Sequence, residues 1–361
     1  MIVAAPPQFK QVKPTPIRHL APGQKPVGLV CPSASRRLEP LGVSRPTLVR
    51  ASRELADEGF LYRKRGQGTF IASAPRPAKG GMPEAHVTVF ISRDIARLTG
   101  AGREVQLKIL RGVQAALGAS YNTSCVREVV AGELDPTTLG FIESSPRGVA
   151  LIVEPSSICP ALMEWLANRD WVVWSVNEPC DNGNHITIDQ EQAGYLATRH
   201  LLGQGRRRLA LINGPEEAYW GFKARREGYE RALRQASVQV VPEHICQSSR
   251  PIDSEAGRMM MRSLLESGRA FDGVVAASDA KAIGAIAETH DAKIDVPSEI
   301  AFVSIDNTLA EGADSPLPAV AMPFEELGYQ AAIQAQSSAM RSHRRHPVNI
   351  KVCLQPYLVE R

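Results

Sequence analysis

The 361-residue chain exceeds one ordinary domain, so two or three compact units are expected. Its net charge of +4 hides an asymmetry: residues 1 to 80 hold fourteen Lys and Arg against four Asp and Glu, which leaves 28 against 34 in the remainder. A basic module on a slightly acidic body is the electrostatic footprint of a nucleic-acid binder with a second function. The six cysteines are scattered, with no C-x-x-C pair and no His at zinc-finger spacing, which argues against a disulfide scaffold and a zinc site. No stretch approaches the roughly 18 apolar residues of a membrane span, and the start, MIVAAPPQFKQVK, does not read as an export signal. A cytoplasmic protein is expected.

The first legible element runs from Leu41 to Ala72, LGVSRPTLVRASRELADEGFLYRKRGQGTFIA. Ser44 can accept from the free amides of a helix start, and Pro46 in the first turn loses no intrahelical bond. From Arg45, residues Leu48, Ala51, Leu55 and Ala56 fall on one apolar stripe, leaving Arg45, Thr47, Arg50 and Arg53 outside it. Gly59 sits where a C-terminal cap belongs. Two extended segments then flank the Gly66-Gln67-Gly68 turn, with Arg63, Lys64 and Arg65 beside it. A helix of this width fits a major groove, and a basic hairpin can lie on phosphates or enter the minor groove. The alternative is a solvated helix followed by an ordinary surface hairpin.

Taken together, LGVSR, REL, EGFL and RGQGTF resemble the winged helix of the GntR (gluconate-repressor) family. The resemblance implies that Arg45, Thr47 and Arg50 meet DNA from the recognition helix and that Gln67 and Gly68 do so from the wing tip, beside Arg63 and Arg65. It also extends to PVGLVCPSASRRLEP, where Ser35 replaces the family's phosphate-contacting arginine and Arg36 stands next to it as a substitute. Pro14 and Pro16 fall where the family has an uninterrupted helix, and Pro40 late in the next one. A proline inside a helix costs roughly 3 kcal/mol or more, so the first helix is expected to be broken or short.

Residues 73–86, rich in Pro and Gly, read as a linker between a DNA-binding domain (1–72) and a second domain (87–361). In the latter, apolar runs at 87–91, 125–130, 148–153, 171–176, 185–188, 209–213, 273–277 and 301–305 alternate with helical segments such as 105–117, 190–202, 225–235, 254–265 and 279–290. Nearly continuous apolar strands between helices indicate parallel sheets covered on both faces. The length implies two doubly wound α/β lobes. ITIDQEQAGYLATRHLLGQGRRRLALINGP, RREGYERAL, AASDAKAIGAIAE and IAFVSIDN, in that order, are similar to LacI-type, periplasmic-binding-protein-like effector domains. A GntR-like winged helix on such a body resembles the arabinose-repressor type of regulator, which implies sugar-responsive, dimeric binding to operator DNA.

Ligands of doubly wound lobes sit at the carboxyl ends of strands, and with two lobes the cleft lies between them. The candidates just after strands are Asp94, Arg97, Asn177 and Glu178 from the first lobe and Ser278, Asp279, Asp306 and Asn307 from the second. Arg225 lies eleven residues after Gly214, behind an aromatic group of Tyr219, Trp220 and Phe222 placed on the preceding loop. The resemblance assigns ligand-contacting positions to Ser278, Asp306 and Arg225. A carboxylate and a guanidinium suit a polyhydroxylated or anionic small molecule. Alternatives stand beside each: Asp279 can simply cap the helix it opens, loop charges are usually solvated, and aromatic rings pack into cores as often as they stack on ligands. Met322 stands where the family often has Gln. With no nucleophile elbow, H-E-x-x-H or P-loop, neither an enzyme, a metal nor a cofactor is expected. The reading is a homodimeric regulator that binds operator DNA and a small effector, not a membrane. Its alternative is a sensor or solute-binding protein without working DNA binding.

Overall fold

In this computed structural model the described residues are 61–64, 68–71 and, from 87 to 361, all but 94–100, 118–123, 130–131, 133, 145–147, 160, 249–252, 313–315 and 342–348. The chain divides into one unit of residues 1–84 and another of residues 85–361. In the first unit β1 (Leu61–Lys64) and β2 (Gly68–Ile71) form an antiparallel pair in which Leu61 faces Ile71 and Arg63 faces Thr69. Of the DNA-site candidates, Arg63 and Gly68 lie on this pair. The expected recognition helix and Arg36, Arg45, Thr47, Arg50, Arg65 and Gln67 fall outside the described residues.

The second unit contains two six-stranded sheets. One runs β13-β7-β6-β5-β3-β4 and is wholly parallel, from β3 (Val87–Ser92), β4 (Ser124–Val129), β5 (Val149–Val153), β6 (Val172–Val176), β7 (Asn184–Ile188) and β13 (Lys351–Leu354). The other runs β14-β12-β11-β10-β8-β9, from β8 (Leu209–Asn213), β9 (Ile245–Gln247), β10 (Gly273–Ala276), β11 (Ala301–Asp306), β12 (Ala319–Ala321) and β14 (Tyr357–Val359). Only β14 is antiparallel to its neighbour. All eight expected strands are present with ends within one residue, because β-branched and apolar runs buried on both faces have no other low-energy placement. The strands not anticipated, β9, β12, β13 and β14, are three or four residues long. In β13 intermediate and exposed residues alternate, so no continuous apolar run announces it.

Eight helices cover the sheets: α1 (Ala101–Leu117), α2 (Pro136–Ser144), α3 (Ala161–Ala167), α4 (Gln190–Gly203), α5 (Trp220–Gln235), α6 (Ser254–Glu266), α7 (Asp279–Asp291) and α8 (Phe324–Arg341), counted among the described residues. The chain passes between the sheets three times. It leaves β7 for α4, which packs on β10, β11 and β12, then leaves β12 for α8, which packs on β5, β6 and β7, and finally runs from β13 to β14. One apolar core consequently includes residues of both lobes, from Val89, Leu151 and Trp174 to Leu211, Val303 and Leu327.

Helices α4 and α5 pack to backbone contact. A Cβ at Gly194 would overlap the carbonyl oxygen of Arg225, and one at Gly228 would overlap that of Glu191. Reciprocal glycines also join α1 to α8 (Gly112, Gly328) and α6 to α7 (Gly257, Gly284). Such backbone-to-backbone contact sets helix separation, and in α4 and α5 it sets where Arg225 stands. Gly194→Ala should lower stability by about 1–3 kcal/mol through overpacking, whereas Gly203→Ala, with open space around it, should raise it by about 0.5–1 kcal/mol. Urea unfolding of the two variants checks the opposite signs.

Candidate ligand-binding cleft

The carboxyl ends of both parallel sheets bring together side chains from distant segments. Arg225 is the most connected of them. It lies in the second turn of α5, 3% exposed, on a helix that begins at Trp220 with Tyr219 in the capping position. Trp220 and Phe222 are therefore helical, not on a loop as the sequence suggested: the turn at 215–219 is short enough to start the helix before them. Arg225 Nε donates to Gln190 Oε1 at 2.8 Å, Nη1 to the carbonyl of Ala277, and Nη2 to Asp306 Oδ1 at 2.9 Å. Asp306, 6% exposed, ends β11 with φ 112°. Burial pushes its pKa up to about 6 and the guanidinium opposes that rise, so the pair is charged at neutral pH.

Ser278, 1% exposed, accepts from the Lys281 amide at 3.4 Å and caps α7. Asp279, the first helical residue, is fully buried and serves a different purpose. It accepts from Ser304 Oγ at 2.6 Å and from the amides of Thr308, Leu309 and Ala310 at 2.6, 2.8 and 3.1 Å. Its carboxylate folds the segment after β11 back on α7 and so orients Asp306. Met322, which replaces the family's Gln, is 4% exposed and belongs to the core; its amide donates to Asp306 O at 3.3 Å.

On the first lobe, Asn177 follows β6 with φ 66° and is 2% exposed. Its Nδ2 donates to Glu154 Oε1 at 2.7 Å, and its carbonyl accepts from Trp220 Nε1 at 3.1 Å, a contact between the lobes. Lys108 Nζ donates to Asn307 O at 3.1 Å, making a second such contact. Glu154, directly after β5 with φ 50° and ψ 69°, keeps some surface exposure, yet its carboxyl is enclosed and burial raises its pKa to about 7 against the Asn177 hydrogen bond. The sequence reading passed over Glu154, although the rule applied to other strands, inspecting the residue just after the apolar run, singles it out. Buried atoms without a hydrogen-bond partner, among the described residues, include Asn177 Oδ1, Ser92 Oγ at the end of β3, and both amide atoms of Gln106 on α1. Asp94 and Arg97 lie outside the described residues.

The aromatic residues divide by role. Phe222, 3% exposed, packs edge-on to Tyr219 at 5.4 Å and lies under Arg225 and Lys281. Tyr219 Oη accepts from Gln190 Nε2 at 3.2 Å, and burial raises its pKa well above the usual tyrosine value. Trp220 is half-buried and bridges the lobes. Among the described residues no group of His, Cys, Asp and Glu is arranged to hold a metal, and no helix is long and apolar enough to cross a membrane.

Two parallel α/β lobes joined by three crossings, with polar groups gathered at the strand ends, define a periplasmic-binding-protein-like domain. Residues 198–361 match the family described as "Periplasmic binding protein-like domain". The chain is 32% identical over 149 residues to the HTH-type transcriptional repressor CytR of Escherichia coli K12, covering 41% of this chain and 43% of the relative. It is 33% identical over 181 residues to the regulator DegA of Bacillus subtilis, covering 49% and 50%. It thus spans half or less of the length of these two relatives. The arabinose metabolism transcriptional repressor of Geobacillus stearothermophilus aligns over 90% of this chain and 89% of its own, at 26% identity. Among solved structures, the regulator CelR in complex with cellobiose superposes with a TM-score of 0.64 at 21% identity, covering 88% of this chain and 90% of that one. A LacI-family regulator from Enterococcus faecium with bound ribose gives 0.63 at 19%, covering 76% and 97%. The effector-domain fold is that of LacI-type regulators. The gluconate-repressor resemblance of the N-terminal unit gains no support from these likenesses.

Asp279→Asn would leave one oxygen to accept what two now accept, and should cost roughly 2–4 kcal/mol as a broken buried network. Ser278→Ala removes a helix cap only, at about 1 kcal/mol. Chemical denaturation of both variants should rank them in that order.

Proposed function

We propose that the protein is a ligand-responsive, DNA-binding transcription regulator, a repressor of carbohydrate or related catabolic genes that acts as a homodimer. The observation that carries this reading is the meeting of polar groups at the strand ends of both lobes: Arg225, Asp306 and Ser278 stand there in one lobe, and Trp220 of that lobe donates to the carbonyl of Asn177 in the other. A small polyhydroxylated effector fits such a cleft, since hydroxyls both donate and accept. Relatives described as transcriptional repressors, and neighbours that hold cellobiose or ribose, support the same reading. The N-terminal unit is read as a winged helix of the GntR kind. What supports it is the run from LGVSR to RGQGTF, the β1–β2 pair and the basic charge of residues 1–80.

An effector changes DNA affinity only by binding one lobe arrangement better than another, and in a dimer lobe closure alters the spacing of the two DNA-binding units. Arg225 and Asp306 are positioned to sense it. With a sugar identified by thermal-shift screening, Arg225→Ala and Asp306→Ala should each abolish the sugar's effect on operator binding and leave ligand-free affinity within a few-fold of wild type. Full response in both variants would move the site elsewhere, and loss of ligand-free binding would make the pair structural.

On the DNA side, Arg45→Ala or Arg50→Ala should weaken operator binding by roughly 1–3 kcal/mol if the contact is to a base. Arg63→Ala should lower the salt slope by about one, as expected for a phosphate contact. Selection of genomic duplexes on the full chain is the prior measurement; no preference over random DNA would refute the regulator reading.

A further inference from the structure

We propose that Glu154 determines the charge of the effector: the cleft takes an uncharged, hydroxyl-bearing molecule as a hydrogen-bond donor and rejects sugars that carry phosphate or carboxylate. The inference rests on the proposed ligand site, not on DNA binding.

Two of the cations near the cleft, among the described residues, are turned to partners within their own lobe. Three donor positions of Arg225 go to Gln190, Ala277 and Asp306, and Lys281 is wholly buried beside Phe222. Neither offers an anion an open counter-charge. The acceptors, in contrast, are in excess. Glu154 uses Oε1 for Asn177 Nδ2 and forms no ion pair among the described residues; Asn177 Oδ1, in a side chain 2% exposed, has no partner. Glu178 stands beside them with Oε2 accepting from the Ser156 amide at 2.9 Å. The groups that act electrostatically on Glu154 are Glu178, Asp306 and Arg225; Asp279 and Lys281 act in turn on Asp306, and Tyr219 also feels Glu154. Among the described residues, the carboxyls acting on Glu154 or Asp306 are Glu178, Asp279 and, for Glu154, Asp306 itself, against Arg225 and Lys281, with Lys108 bonded to the Asn307 carbonyl at the lobe junction as a third cation. Among the described residues around Glu154, an added phosphate or carboxylate would meet like charge and no uncommitted guanidinium fork, whereas sugar hydroxyls would satisfy the orphaned acceptors. Backbone geometry keeps Glu154 in place, since its left-handed φ is held by its amide bond to Val176 O at 2.9 Å.

The experiment uses the full chain and has two parts. The first compares melting temperatures of wild type and Glu154→Gln from pH 5.5 to 8.5, with Glu154→Met as a second non-titrating variant should the first misfold. The pKa of Glu154 is about 7 in the folded protein, above its ordinary value of 4.5. Its protonated form therefore stabilises wild type, and that contribution is lost as pH rises through about 7. The variants' advantage over wild type should grow by about 2–4 °C between pH 6 and 8.5. Glu178 and Asp306 are present in both proteins, and because they act on Glu154 the difference reports the titration of Glu154 together with its coupling to them. A flat difference would overturn the proposal, because Glu154 would not be an uncompensated buried carboxyl. The second part adds cellobiose and ribose as neutral probes, and glucose 6-phosphate and gluconate as anionic ones, at equal concentration. Stabilisation of wild type by a neutral probe alone supports the proposal, and stabilisation by an anionic probe to an equal or greater degree overturns it. If none of the four binds, the pH difference decides. No DNA enters either readout, so a failure here is separable from a failure of the regulator reading.

Discussion

The guanidinium of Arg225 is the constraint on which the second unit depends. It takes acceptors from three segments that are far apart in sequence: the start of α4, the end of β10 and the end of β11. A buried ion pair must be well bonded on every side to offset the cost of taking both charges out of water. Here Gln190 and the Ala277 carbonyl supply that bonding, while the Asp279 carboxylate holds the backbone behind Asp306. The pair is possible only because Gly194 lets α5 approach α4 to backbone contact. Helix packing, strand order and site electrostatics therefore meet in one side chain.

The two lobes are joined physically as well as covalently. Glu154, Asn177 and Trp220 form a line of hydrogen bonds from the end of β5, through the end of β6, to the first residue of α5. Glu154, Asn177 and Asp306 all have positive φ without being glycine. Conformations of that kind persist where surrounding bonds over-determine them, and they concentrate at binding sites and switches. All three stand at strand ends, where the chain must turn sharply while a polar side chain is aimed between the lobes. Any change in the separation of Asn177 and Trp220 acts on this line, which ties the two lobes at their strand ends.

Much of this was legible in the amino-acid order. Eight strands, the alternation with helices and the two-lobed organisation follow from apolar runs too continuous for one-sided burial. Residues directly after those runs, Asn177, Ser278 and Asp306, were identifiable from position alone, because parallel strands deliver their next residue to the same end of the sheet. The same reasoning reached Arg225 through its family resemblance. It offered Asp279 as the helix cap, whereas Ser278 caps the helix and Asp279 organises a loop, since both are short polar side chains at a helix start.

What the order of residues determined by itself is local: where apolar periodicity forces strand or helix, where a cap falls, and the basic charge of the first eighty residues. Only the tertiary structure decided the chemistry of the cleft. Glu154 is one carboxylate among many until burial and the proximity of Asp306 and Glu178 raise its pKa. Trp220 reads as an aromatic on a loop until the helix start turns its indole toward Asn177. The short strands β13 and β14 exist because distant edges of two sheets await them, at Ile186 and Val320. Desolvation and long-range pairing depend on what other segments bring to the same place, and periodicity within one segment carries no record of that.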